Sequence, residues 1–429
     1  VSIDYENISL YRIRVHRKAT FINKYDIPSK AKSALTQLTD GKRFRNLRRG
    51  ASIAVTAGSR GMANNVTLLK SIIAALRDLG FQPFLFSAMG SHGGGTGEGQ
   101  EKILQSLGIT PSTMGCPVSC SGEVRLLEEF DRLGKKIPVY CAKEAMEADG
   151  ILVVNRIKPH TSFHGDYESG LLKMMTVGMG RAKGADVFHS LGAEYLAEAV
   201  PLIGSRILKL APVIGGIGIV ENANEQTAII SGIPIERIFE EEKQLLIEAK
   251  KQMPKLPIEK ADICIVCEMG KNFSGTGMDT NIIGRLRIQG IPEPTAPHFT
   301  YLGVLRLSEP SHGNATGIGL ADFTTKKLAK AIDSKSTYLN CLTSGFVIRA
   351  SVPMNFETDR ELVQGALQAL KYDGVISLRL IIIKNTLNID ELWVTKAIFD
   401  ELKVDETIEF VEELPSIPFD SEGNLVLME

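Results

Sequence analysis

The chain has 429 residues, with 49 Lys+Arg against 50 Asp+Glu and 44% hydrophobic residues, the make-up of an ordinary globular protein of two or three domains. A formal net charge of −1 excludes a polyelectrolyte, so neither nucleic acid nor an anionic membrane is an expected partner. Six cysteines in this length do not make a disulfide scaffold.

Residues 1–18 alternate apolar and polar side chains without an apolar signal core, and the expected compartment is the cytoplasm. The basic run from Lys42 to Arg49 reads as a solvated face. A short apolar strand over Ser52–Thr56 leads into Gly58-Ser59-Arg60-Gly61. A helix follows, with Leu68, Leu69, Ile72, Ile73, Leu76 and Leu79 on one stripe, closed by Gly80. Next come a strand over Gln82–Ser87, a glycine-rich loop, a helix over Glu98–Leu107 and a strand over Gly150–Asn155. Leu202 to Val220 is apolar, but Arg206, Lys209 and several glycines exclude a bilayer span. A charged helix from about Pro234 to Met253 ends at Pro254-Lys-Leu-Pro257, read as a linker.

Beyond it the pattern predicts strands over Ala261–Cys267, Tyr301–Leu307 and Gly374–Ile383, and helices over Thr324–Ile332, Asp359–Leu370 and Asn388–Leu402. Cys264 and Cys267 lie three apart in a strand and so point to opposite faces, which favours packing over metal or redox chemistry. The alternation of strands and helices implies an α/β protein. Two α/β domains with parallel-type sheets flanked by helices are expected, with an active-site cleft between them. The N-terminal domain spans 1–255 and the C-terminal domain 256–404, and a tail over 405–429 packs back on the first.

Chemistry-bearing residues gather where predicted strands end, which is where open α/β sheets bind ligands. Met89-Gly-Ser-His92-Gly-Gly-Gly-Thr-Gly97 offers backbone N–H groups to an anion and one histidine. Asn155-Arg-Ile-Lys-Pro-His160-Thr-Ser-Phe-His164 crowds Lys158 with two histidines. Pro159 argues against a metal-binding helix there, leaving His160 as an acid–base candidate and His164 as structural. Lys173 is the one lysine in an apolar, methionine-rich run from Glu168 to Gly180. It is either a nucleophile of lowered pKa or a snorkelling side chain. In the second block Glu268–Asp279 holds Lys271, Asn272 and Asp279, with Arg285 beyond. They are either a flexible connection or a second wall of an anion site. Ser91–Gly99 and Ser311–Gly319 agree at six of nine positions, so a duplicated unit and a chance likeness of glycine loops both stay open.

Ser59-Arg60 after the first strand, Gly90-Ser91-His92, Lys158-Pro159-His160, Lys173 and His189, in that order, resemble the lactate racemase family of nickel-pincer-nucleotide enzymes. The resemblance runs from Gly58 to His189 and continues weakly through Gly270–Arg285 and Ser311–Thr325. It implies that Lys173 tethers the cofactor, a nickel pyridinium-3,5-bisthiocarboxylic acid mononucleotide, and that His189 completes the nickel coordination. It further implies that His92 and His160 are the catalytic acid–base pair and that Arg60 binds the substrate carboxylate. Ser59, Gly90, Ser91 and Asp279 would then touch the cofactor, while Lys271, Arg285 and His312 would touch substrate. The reaction implied is racemisation or epimerisation of a 2-hydroxy acid by reversible hydride transfer.

Ala57 replaces the family's aspartate ahead of the arginine, the His160–Lys173 interval is longer, and the second domain lacks a clean Gln and Lys. These departures bear on the substrate more than on the cofactor, and the glycine-rich first loop leaves room for a 2-hydroxy acid larger than lactate. The expected partners are that small molecule and cofactor-synthesis proteins, and a homo-oligomer is compatible with the sequence. The competing readings are an α/β oxidoreductase or phosphate-ligand enzyme without nickel, and a non-enzymatic small-ligand binding protein.

Overall fold

A computed structural model describes residues 7–132, 134–372 and 377–427. The chain divides into two units. Ala19–Met253 forms the middle unit, and the residues on either side of it form the terminal unit. Each is an α/β unit with a mixed, mostly parallel sheet flanked by helices.

The middle sheet is ordered Val118–Ser119, Gln82–Ser87, Ser52–Ala57, Gly150–Arg156, Val213–Glu221 and Thr227–Pro234. Five strands run parallel and the last turns back antiparallel. Ile53, Val55, Leu85, Leu152 and Ile217 are all buried in it, because helices such as Asn65–Asp78 cover the sheet and leave no solvent face. From Ser52–Ala57 the chain moves first to Gln82–Ser87 on one side and later to Gly150–Arg156 on the other. The carboxyl ends of these strands therefore open at a topological switch point. Between the two excursions lies an antiparallel hairpin, Val124–Arg132 with Lys135–Ala142.

The terminal sheet is ordered Met354–Phe356, Phe323–Thr325, His298–Leu307, Lys260–Met269, Leu380–Ile383, Glu391–Thr395, Leu10–Val15 and Ile408–Leu414. The first five strands are parallel and the last three antiparallel. The boundary at Met253–Pro254 falls at the predicted linker. The alternating segment near the N-terminus, however, is a strand of the terminal sheet rather than part of a continuous 1–255 block. The tail strand Ile408–Leu414 pairs with it.

Local differences have local causes. The expected helix over Asn388–Leu402 is the strand Glu391–Thr395 followed by the helix Lys396–Leu402. Leu392 to Thr395 are all buried, and a run covered on both faces suits a strand rather than a one-sided helix. The helix Asp359–Leu370 lies where periodicity predicts it. The expected strand Gly374–Ile383 is described only as Leu380–Ile383, and its first three residues lie outside the described residues. The two similar glycine loops diverge: one enters the helix Gly97–Ser106, the other a single turn at Ile318–Leu320. Cys264 and Cys267 are free and buried. Among the described residues no helix is long and apolar enough to cross a membrane.

Candidate active site

The carboxyl ends of Ser52–Ala57, Gln82–Ser87 and Gly150–Arg156 surround a cavity of ≈190 Å³ built wholly by the middle unit. Ser59, Arg60, Gly90, His92, Arg156, Lys158 and Lys173 line it together with Met62, Met89, Met174 and Val177. No carboxylate is among the lining residues, so the cavity favours an anion. Arg156 is neutralised from behind by Glu221, which also accepts the Ala63 N–H at 2.6 Å. Arg60 makes no hydrogen bond or ion pair among the described residues. Burial and the charge of Arg156 pull its pKa below the usual guanidinium range.

Lys173 ends the short helix Leu171–Lys173, which continues into a π-helical turn, Met174–Gly178. Such turns recur at functional sites. The segment beds on the sheet because Gly216 has no side chain: a Cβ there would stand 2.6 Å from Leu171 Cδ1. Lys173 Nζ lies 5.2 Å from the centre of the Phe163 ring and makes no hydrogen bond or ion pair among the described residues. Burial and the neighbouring Lys158 charge bring the amine down to about 7, against the pull of Glu168. A lysine of this kind is a nucleophile near neutral pH. The snorkelling alternative does not describe it, because the amine faces the cavity and not bulk solvent.

Phe163 also receives His160, stacked at 4.3 Å between ring centres. The His160 N–H donates to Glu168 Oε2 at 2.7 Å, and its Nδ1 accepts the Ser162 N–H at 3.1 Å. That second bond leaves Nε2 as the proton-bearing nitrogen of the neutral ring. His160 is not itself in the cavity wall. Phe188 lies 6.1 Å from Phe163 and meets His189 edge-on at 5.4 Å. The His189 ring has an exposed surface, yet surrounding protein and the Lys173 charge hold its pKa below the usual imidazole value. His160, Lys173 and His189 thus converge on one pair of phenylalanines.

His164 is exposed and bonds Glu168 through Nδ1 at 3.2 Å, in keeping with a structural role. Ser91 is exposed and outside the cavity wall. The four second-block candidates belong to the terminal unit. Lys271 Nζ donates to Gly275 O and Asn340 Oδ1, and Asp279 caps the short helix Thr280–Ile283. Arg285 is taken up by Asp322 and three main-chain carbonyls, and His312 occupies a left-handed turn at φ +47°. Within that unit these contacts hold local structure.

Glu168, Glu242 and Arg181 join the site's surroundings although no sequence motif marks them. Glu168 is buried, which opposes its ionisation, but His164, Lys250 and the His160 N–H keep its carboxyl below the usual range. It anchors the His160 turn to the helix Ile238–Gln252 through Lys250 Nζ at 2.7 Å. Its spacing of four from His164 was the available clue. Among the described residues no group of three or more His, Cys, Asp or Glu is arranged to hold a metal. The donor set around Phe163 and Phe188, one amine and separate imidazoles, fits a metal that brings an organic ligand of its own.

No family model and no curated protein matches the sequence. Among solved structures, the chain is similar to the lactate racemase apoprotein from Thermoanaerobacterium thermosaccharolyticum, at 12% identity and a TM-score of 0.44 over 100% of this chain and 97% of that one.

Proposed function

We propose that the chain is a racemase or epimerase of a 2-hydroxy acid bulkier than lactate, working with a nickel-pincer nucleotide tethered at Lys173 and ligated by His189. The observation that carries this reading is Lys173 itself. It is an amine without hydrogen bond or ion pair, brought to about 7, on the wall of an acid-free, cationic cavity. The bound cofactor would supply a reversible hydride acceptor, chemistry that no side chain offers.

The chain's own residues do the rest. Arg60 binds the substrate carboxylate with its unengaged fork. His92, at the strand end opposite Lys158, takes and returns the hydroxyl proton. His160 offers its Nε2–H, and it can take a second proton only if Nδ1 releases the Ser162 N–H. Lys158 and Arg156 stabilise developing alkoxide charge, and the methionines exclude water from it.

The test is native mass spectrometry after co-expression with cofactor-synthesis proteins. The expected result is one adduct at Lys173, absent from Lys173→Ala, with nickel lost from His189→Ala. An unmodified Lys173 would sink the reading. With loaded protein, deuterium on the substrate α-carbon should survive racemisation, whereas washout into water would favour plain proton abstraction.

A further inference from the structure

We propose that Glu242 is the positioning residue of Lys173, and that its buried carboxyl holds the turn that presents the amine to the cavity. The proposal rests on reading Lys173 as the functional amine, but its test needs no cofactor.

Glu242 lies on the helix Ile238–Gln252, on the stripe with Ile238, Leu246 and Ala249, and is 1% exposed. No cation pairs with it among the described residues. Its carboxyl instead accepts the Leu172 N–H, at 3.0 Å and 3.3 Å from its two oxygens, and it also meets the Leu171 N–H. These are first-turn N–H groups of the segment that ends in Lys173, and a helix start leaves such groups without internal partners. The residue before them, Gly170, has no side chain to cap them. A Cβ at Gly170 would overlap Glu242 Oε1, so the glycine is what admits the acid. Asn155 Nδ2 fixes the same residue from the other side by donating to Gly170 O at 2.8 Å.

An acid buried without a cation is an expensive way to fill space, and an apolar side chain would serve a core better. What an apolar side chain cannot do is accept the main-chain N–H of Leu172. The carboxyl therefore sets the rotation of the turn about its axis. That rotation decides whether residue 173 faces the cavity or the surrounding core.

The test is amine-directed acetylation of the unloaded chain at neutral pH, followed lysine by lysine by mass spectrometry. Exposed lysines of the same molecule serve as internal references. Relative to them, Lys173 should react at least tenfold more slowly in Glu242→Leu than in the unaltered chain. Glu242→Gln, which keeps an acceptor oxygen, should remain within threefold. Thermal melts establish that the variants fold. Where Glu242→Leu does not, Gly170→Ala displaces the carboxyl and should give the same loss. A folded Glu242→Leu or Gly170→Ala with unchanged Lys173 labelling overturns the proposal, as does Glu242→Gln losing as much as Glu242→Leu. Failure of the racemase reading appears separately, as a missing cofactor adduct with the labelling pattern intact.

Discussion

Arg181 concentrates two costs in one residue: a guanidinium with no exposed surface and a left-handed backbone at φ +54°. Its contacts explain why both are tolerated. It donates to Glu123 O at 2.7 Å and to Ser87 O at 3.4 Å, and it pairs with Glu144. Ser87 Oγ donates to Gln100 Oε1 at 2.6 Å, and the Gln100 amide donates to Gly90 O at 3.4 Å. One buried side chain thus ties the strand end leading to His92 to the helix Arg181–Ser190, which carries His189. Removing one partner of a buried pair leaves the other uncompensated. Arg181→Met should therefore cost ~3–5 kcal/mol in denaturant titration, and Arg181→Lys less, because it keeps a charge for Glu144. An unchanged midpoint for Arg181→Met would show that the network carries no stability.

The helix Ile238–Gln252 offers a measurement with a definite sign. Burial pushes Glu242 up to about 8, against the Leu172 and Leu171 N–H groups. Between its unfolded value and about 8 the folded state holds a proton that the unfolded state releases. The stability linked to this group is therefore full at low pH and is lost as pH rises through that window. Across the whole span the change is on the order of 5 kcal/mol. Glu242→Gln should flatten the fall of stability between pH 5 and 8, and an identical pH profile would refute the assignment. Glu242 was also legible in part, as the one acid in phase with Ile238, Leu246 and Ala249. Phase marks it as buried, but nothing in the sequence says that it meets Leu172, seventy positions away. Gln82–Ser87 and Asp359–Leu370 were readable because their periodicity is local. Glu391–Thr395 was not, because it becomes a strand by pairing with Leu10–Val15. Lys173, His92 and Arg60 could be picked out as polar groups in glycine-rich or apolar surroundings. The Phe163–Phe188 pair that gathers His160, Lys173 and His189 exists only in three dimensions.

At the scale of the molecule, a net charge of −1 conceals a cavity with four cationic side chains and no acid in its wall. It likewise conceals a sheet whose strands come from both ends of the chain. Leu10–Val15 lies between Glu391–Thr395 and Ile408–Leu414. Arg12 bridges Glu391 and Glu412, and Tyr11 stacks on Phe399 at 4.5 Å. Deleting residues 1–18 should lower the unfolding temperature of the terminal unit by roughly 10 °C or more and leave that of Ala19–Met253 unchanged. Calorimetry checks this, and equal shifts in both transitions would contradict the division into units.

The placement of Leu10–Val15 also sets an order of events during synthesis. This strand leaves the ribosome before the middle unit, yet its partners, Thr395 and Leu414 among them, are made only after that unit. The middle unit has all its strands once Met253 is made and can fold while the rest is still being translated. A chain arrested in its second half would thus carry a finished Lys173 cavity beside an incomplete sheet. The pairing of Leu10–Val15 with Ile408–Leu414 joins segments some four hundred residues apart, a separation at which contacts are far from local and loop closure is costly.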